Sequence, residues 1–80
     1  MKILTAEIIS IGDELLIGQV VNTNASFLAK SLTELGITVK HISTCCDTVA
    51  DITSALQLAH SRVNVVLVTG GLGPTRDDVT

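Results

Sequence analysis

A chain of 80 residues, 46% apolar and 16% charged with a formal charge of −3, is one small domain at most. It has enough Ile, Leu, Val and Ala for a core and too little charge for a disordered segment. The acidic balance gives no electrostatic footprint for nucleic acid or an anionic membrane, and a single aromatic residue, Phe27, gives no platform for stacked bases.

The opening MKILTAEIISIGDELL is interrupted by Glu7, Asp13 and Glu14, so it lacks the apolar core and cleavage site of a signal peptide. No window approaches a membrane span. Cys45 and Cys46 are neighbours and cannot join distant segments, so a reduced, cytoplasmic protein is expected.

In chain order, Ala6–Ile11 (AEIISI) is short, β-branched and ends at Gly12, which predicts a buried strand. Asn24–Leu35 places Leu28, Leu32 and Leu35 on one helical face, with Asn24 as the N-cap and Gly36 just past the end. Ile37–Thr44 suits a more exposed strand. A second helix is expected from about Val49 to His60, with Ile52, Leu56 and Ala59 inward, and Val63–Thr69 is the third and most apolar strand.

This β-α-β-α-β alternation predicts an α/β fold with a parallel sheet. Right-handed crossovers allow strand order 1-2-3, or 2-1-3 with one helix on each face. The second is preferred, because Ile8-Ile9 and Val65–Val68 ask for burial on both faces. That order leaves an interior-type strand at a sheet edge. The expectation is therefore that residues 1–80 are the first half of a larger domain with no second domain present, or that a partner chain covers the edge.

Ligands of parallel sheets collect at the carboxyl ends of the strands, where strand order reverses. Three acidic turns meet that description: Gly12-Asp13-Glu14, Cys45-Cys46-Asp47 and Thr69 to Asp78. The last, TGGLGPTRDD, is not a Walker loop, since no lysine follows Lys40. Nor is it a dinucleotide fingerprint, since position 76 is arginine. Its glycines let backbone N–H groups approach an anion, or make a plain tight turn. Asp77 and Asp78 beside such a loop become sensible with a hard cation, with Glu14 and Asp47 as further ligands; the competing reading for each acid is helix capping. The Gly18–Asn24 stretch reads as capping in preference to ligand contact. His41, His60 and the cysteines read as structural.

In this order, Ile11-Gly12-Asp13-Glu14-Leu15-Leu16, Gly18-Gln19 through Thr23-Asn24, and Thr69 through Thr80 resemble the molybdopterin-binding (molybdenum-cofactor biosynthesis) domain family, most closely its competence/damage-inducible CinA branch. The resemblance implies a three-layer α/β/α fold with a mainly parallel sheet. It implies metal-dependent hydrolysis of ADP-ribose-type pyrophosphates with Mg, Mn or Co, or binding of molybdopterin without turnover. It also implies a homo-oligomer. Carried onto this chain, Gly70, Gly71 and Gly73 match the phosphate loop. Asp78, Asp47 and Glu14 match the catalytic and metal-binding acids, and Thr75, Asp13 and Asn24 join the ligand-binding set. The partner expected is a phosphate-containing small molecule, with no nucleic acid and no membrane.

Overall fold

The run TAEIISI carries three isoleucines in an extended pattern, and the chain forms strand β1 there, Thr5–Ile11, with every residue after Thr5 buried. In the computed structural model, which describes residues 3–18 and 22–70, β1 is followed by α1 (Asp13–Leu16), α2 (Thr23–Glu34), β2 (Thr38–Cys45), α3 (Val49–His60) and β3 (Val65–Thr69). The single turn α1 has no counterpart in the sequence pattern. The sheet order is β2-β1-β3 with both pairings parallel, the order expected from burial of Ile8-Ile9 on both faces.

The two faces of β1 are separate cores. Ala6 and Ile8 pack with Ala25 and Leu32 of α2, and Val65 and Leu67 of β3 join them. Ile9 and Ile11 pack with Ala59 of α3, together with Cys45, Ile52, Ala55 and Val66. The most buried residue of α2 is Ala25 and that of α3 is Ala59, and a side chain without a γ carbon allows a helix to pack close to the sheet. The result is an α/β/α sandwich with one helix on each face.

Local chemistry explains the helix ends. The N-cap of α2 is Asn22, whose side chain accepts from the Ala25 amide at 3.2 Å. This corrects the expectation of Asn24 as the cap; Asn24 is an exposed residue of the first turn. At the other end the Ile37 amide donates to Leu32 O and the Gly36 amide to Thr33 O, both at 3.0 Å. Gly36 has φ 85°, so the pair is a Schellman closure with its left-handed glycine. Leu35 sits at the C-cap as the chain turns away and is 76% exposed, not on the inner face as expected. In α3, Thr48 accepts from the Asp51 amide and donates its hydroxyl to the Asp51 carboxylate, a reciprocal cap. Leu56, expected inward, is 38% exposed. At 100° per residue the stripe centred on Ile52, Ala55 and Ala59 leaves Leu56 at its margin.

Asn64 clasps the start of β1. Its side chain accepts from the Thr5 amide at 3.0 Å, and its own amide donates to Thr5 O at 3.1 Å. The third strand consequently begins at Val65, two residues later than expected. On its outer side β3 has no strand partner among the described residues.

One polar side chain lies deep in the α3 face. Glu7 is 1% exposed, yet its carboxylate accepts two bonds from the Arg62 guanidinium, both 2.9 Å, and one from Ser43 Oγ at 2.6 Å. Those donors hold its pKa below the ordinary glutamate value: the bonds to Arg62 act most strongly, against the opposing effect of burial.

Candidate functional site

Parallel pairing fixes which residues meet at the carboxyl end of the sheet. Ser10 of β1 is in register with Thr44 of β2 and with Thr69 of β3. Three hydroxyl residues thus form one row across the sheet, just above Ile8 and its neighbours Ile42 and Leu67. Ser10 is fully buried, and its Oγ accepts a 2.7 Å bond from Asn22 Nδ2. With order β2-β1-β3, the crossovers from β1 and from β2 run to opposite faces, so this end of the sheet is the switch point at which ligands of such sheets collect.

The turns above this row are tied together. The Gly12 amide donates to Cys45 O at 3.1 Å, joining the loops after β1 and β2. Asp13 Oδ1 accepts from the Asp47 amide at 3.3 Å. Gly70, with φ 80°, lies so close to β1 that a Cβ there would stand 2.6 Å from Ile11 O. This glycine therefore has a steric reason to be glycine that needs no ligand.

Of the expected site residues, Asp13 and Asp47 are brought together and both are exposed. Glu14 follows Asp13 on α1. Gly70 closes the β3 side, and Asn24 stands in the first turn of α2, two residues beyond the Asn22 cap. Gly71, Gly73, Thr75 and Asp78, with Asp77, lie outside the described residues. Sequence reasoning misses Ser10 and Asn22 as a pair. The available signal was a serine near the end of an otherwise apolar strand, and an asparagine directly before the helix-opening Thr23.

The rim between β2 and α3 is acidic. Cys46 is pushed up in pKa by burial first, then by the charges of Asp51 and Asp13, which also hydrogen-bond its thiol. Cys45 moves the same way, by burial and then by Asp51 and Asp47. Both thiols stay protonated near neutral pH. Among the described residues no group of three His, Cys, Asp or Glu side chains is placed to hold a metal ion. Asp13, Asp47 and their described neighbours do not by themselves make a metal centre. No helix among the described residues is long and apolar enough to cross a membrane.

A parallel sheet in the order 2-1-3, with one helix on each face and glycine-bearing turns at the carboxyl rim, is a doubly wound α/β domain. A family model described as a probable molybdopterin binding domain matches residues 7–80, and the chain belongs to that family. It is 58% identical over 77 residues to a CinA-like protein of Chlorobium chlorochromatii, a match covering 96% of this chain and 18% of the relative. It is 54% identical over 77 residues to a putative competence-damage inducible protein of Alkaliphilus metalliredigens, covering 96% and 19%. Among solved structures it resembles that of the protein CinA with unknown function from Thermoplasma acidophilum. The TM-score is 0.87 and the identity 37%, over 91% of this chain and 43% of that one. The chain spans about a fifth of the length of the curated relatives it matches.

Proposed function

We propose that this chain belongs to a CinA-type protein that binds an ADP-ribose-type nucleotide at the carboxyl rim of the sheet and hydrolyses its pyrophosphate with a divalent cation, Mg, Mn or Co. The observation that carries the reading is the meeting of the turns after β1 and β2, with the Asp13 carboxylate on the Asp47 amide. An exposed acidic rim repels a bare pyrophosphate, which gives a cation a purpose there. Gly70, Gly71 and Gly73 are assigned to the phosphate, with Thr75, Asp13 and Asn24 as further ligand contacts. Glu14, Asp47 and Asp78 are assigned to the cation and the attacking water. The protein is proposed to be cytoplasmic and a homo-oligomer.

The test is to incubate the intact gene product with ADP-ribose and each of the three cations and to follow AMP release. Release that disappears on chelation and in Asp78→Ala supports the reading; release equal in wild type and Asp78→Ala overturns it.

A second reading is a molybdopterin-binding module without turnover, favoured by the description of the matching family. Calorimetric titration separates the two: tight pterin binding with no hydrolysis of ADP-ribose selects this one.

A further inference from the structure

Ser10 is the deepest polar group at the rim. It is fully buried at the head of an otherwise apolar column, in register with Thr44 and Thr69. A hydroxyl without a partner in such a place costs about 1–3 kcal/mol, so its bond is the reason it can be there. That bond comes from Asn22 Nδ2 at 2.7 Å, while the same side chain's Oδ1 accepts from the Ala25 amide. Both ends of one amide are thus engaged: one on the floor of the sheet, the other on the first turn of α2. An asparagine can satisfy the two only at one height and one rotation of that turn.

We infer that Ser10 is a positioning residue for ligand binding, acting through Asn22 to fix the first turn of α2, and with it Asn24, against the rim. The inference rests on the proposed ligand site and adds residues to which that reading gives no role. The apolar alternative at position 10 would pack as well in the sheet but would leave Asn22 free to cap from other rotamers. The helix would survive while the placement of its first turn against the rim would not. Ser10 itself is fully buried with its hydroxyl engaged by Asn22, so its influence on a ligand at the rim would run through that asparagine.

The experiment is a titration of the intact gene product with ADP-ribose and with molybdopterin, alongside steady-state hydrolysis, for wild type, Ser10→Ala, Asn22→Ala and the double variant. The expected result is a dissociation constant, and a KM, raised roughly tenfold in each single variant, the equivalent of one misplaced hydrogen bond, with kcat changed less than about twofold. The double variant should bind no worse than Asn22→Ala alone, because Ser10 acts only through Asn22. Melting temperatures of the single variants report folding separately, and Asn22→Ala, at a half-buried position, serves if Ser10→Ala fails to fold. Affinity in both single variants within about twofold of wild type, or additive losses in the double variant, overturns the inference while leaving the ligand site standing. A wild type that binds neither ligand overturns the site and the inference together.

Discussion

Arg62, just beyond the end of α3, reaches 55 residues back along the chain to grip Glu7 in the central strand with two parallel bonds of 2.9 Å. The pair is lopsided: the Glu7 side chain is 2% exposed and that of Arg62 is 32%. Removing the arginine strands a carboxylate in the interior, whereas removing the carboxylate leaves a guanidinium that can turn to water. Arg62→Met is therefore expected to cost about 3 kcal/mol, the low end for a broken buried pair because one partner is partly solvated. Glu7→Gln should cost less. Urea unfolding of both variants checks the asymmetry, and equal losses would contradict it.

The same pair gives stability a pH dependence. Glu7 titrates lower in the folded chain than in the unfolded one. Its contribution is therefore complete above the unfolded value of about 4.3 and is lost as pH falls through the folded value. Wild type should lose more stability than Glu7→Gln between neutral pH and about pH 3, measured by unfolding at a series of pH values. Parallel curves for the two would mean that Glu7 is not the titrating group.

The caps distinguish two adjacent-looking asparagines. Asn22→Ala removes the acceptor of the Ala25 amide and should cost about 1 kcal/mol or more, whereas Asn24→Ala, at an exposed position, should fall within about 0.5 kcal/mol of wild type. Thermal unfolding of the two variants decides between them.

Two glycines with positive φ should respond differently to alanine. At Gly36 a Cβ meets nothing within 4 Å, so only the left-handed backbone is penalised, by about 1 kcal/mol. At Gly70 the same strain is joined by a backbone oxygen at 2.6 Å that cannot move without shifting β1. Gly70→Ala should be the more damaging of the two by melting temperature.

The thiol of Cys46 should alkylate slowly at neutral pH, because burial and the carboxylates of Asp51 and Asp13 disfavour its thiolate. Asp51→Asn should speed the reaction under mildly alkaline conditions, as followed by mass spectrometry of iodoacetamide-treated protein. No change would remove the carboxylate from the explanation.

The sheet order was legible because it depends on which strands are apolar on both faces, and Ile8-Ile9 and Val65–Val68 show that directly. The α3 boundaries, Val49 to His60, were legible too from the helical spacing of the apolar residues, although Leu56 was placed too far inward. The inner face of α2 is misread at Leu35 because the apolar periodicity continues one residue beyond Glu34, where the helix ends. The cap is displaced from Asn22 onto Asn24 because the sequence offers two capping asparagines two residues apart, and the bonds that select Asn22, from the Ala25 amide and to Ser10, are visible only in the structure. The Glu7–Arg62 pair could not be read in advance. Its partners are distant in sequence, and a lone acid in an apolar run carries no mark of what neutralises it. At the site, proximity of Asp13 and Asp47 followed from parallel topology, but the 2.6 Å approach that makes position 70 a glycine depends on the height of β1 in the sheet.

The middle strand of this sheet is the first of the three to be synthesised, and one of its two partners, β3, is the last: Thr5 meets Asn64 across 59 residues. Until Val65–Thr69 has been made, one hydrogen-bonding edge of β1 and part of its apolar surface have nothing native to pair with. Contacts this remote in sequence fold slowly. The nascent chain thus carries a half-paired, isoleucine-rich strand while everything between the two is being made, and that interval is where a chaperone or a stray β-edge would find it.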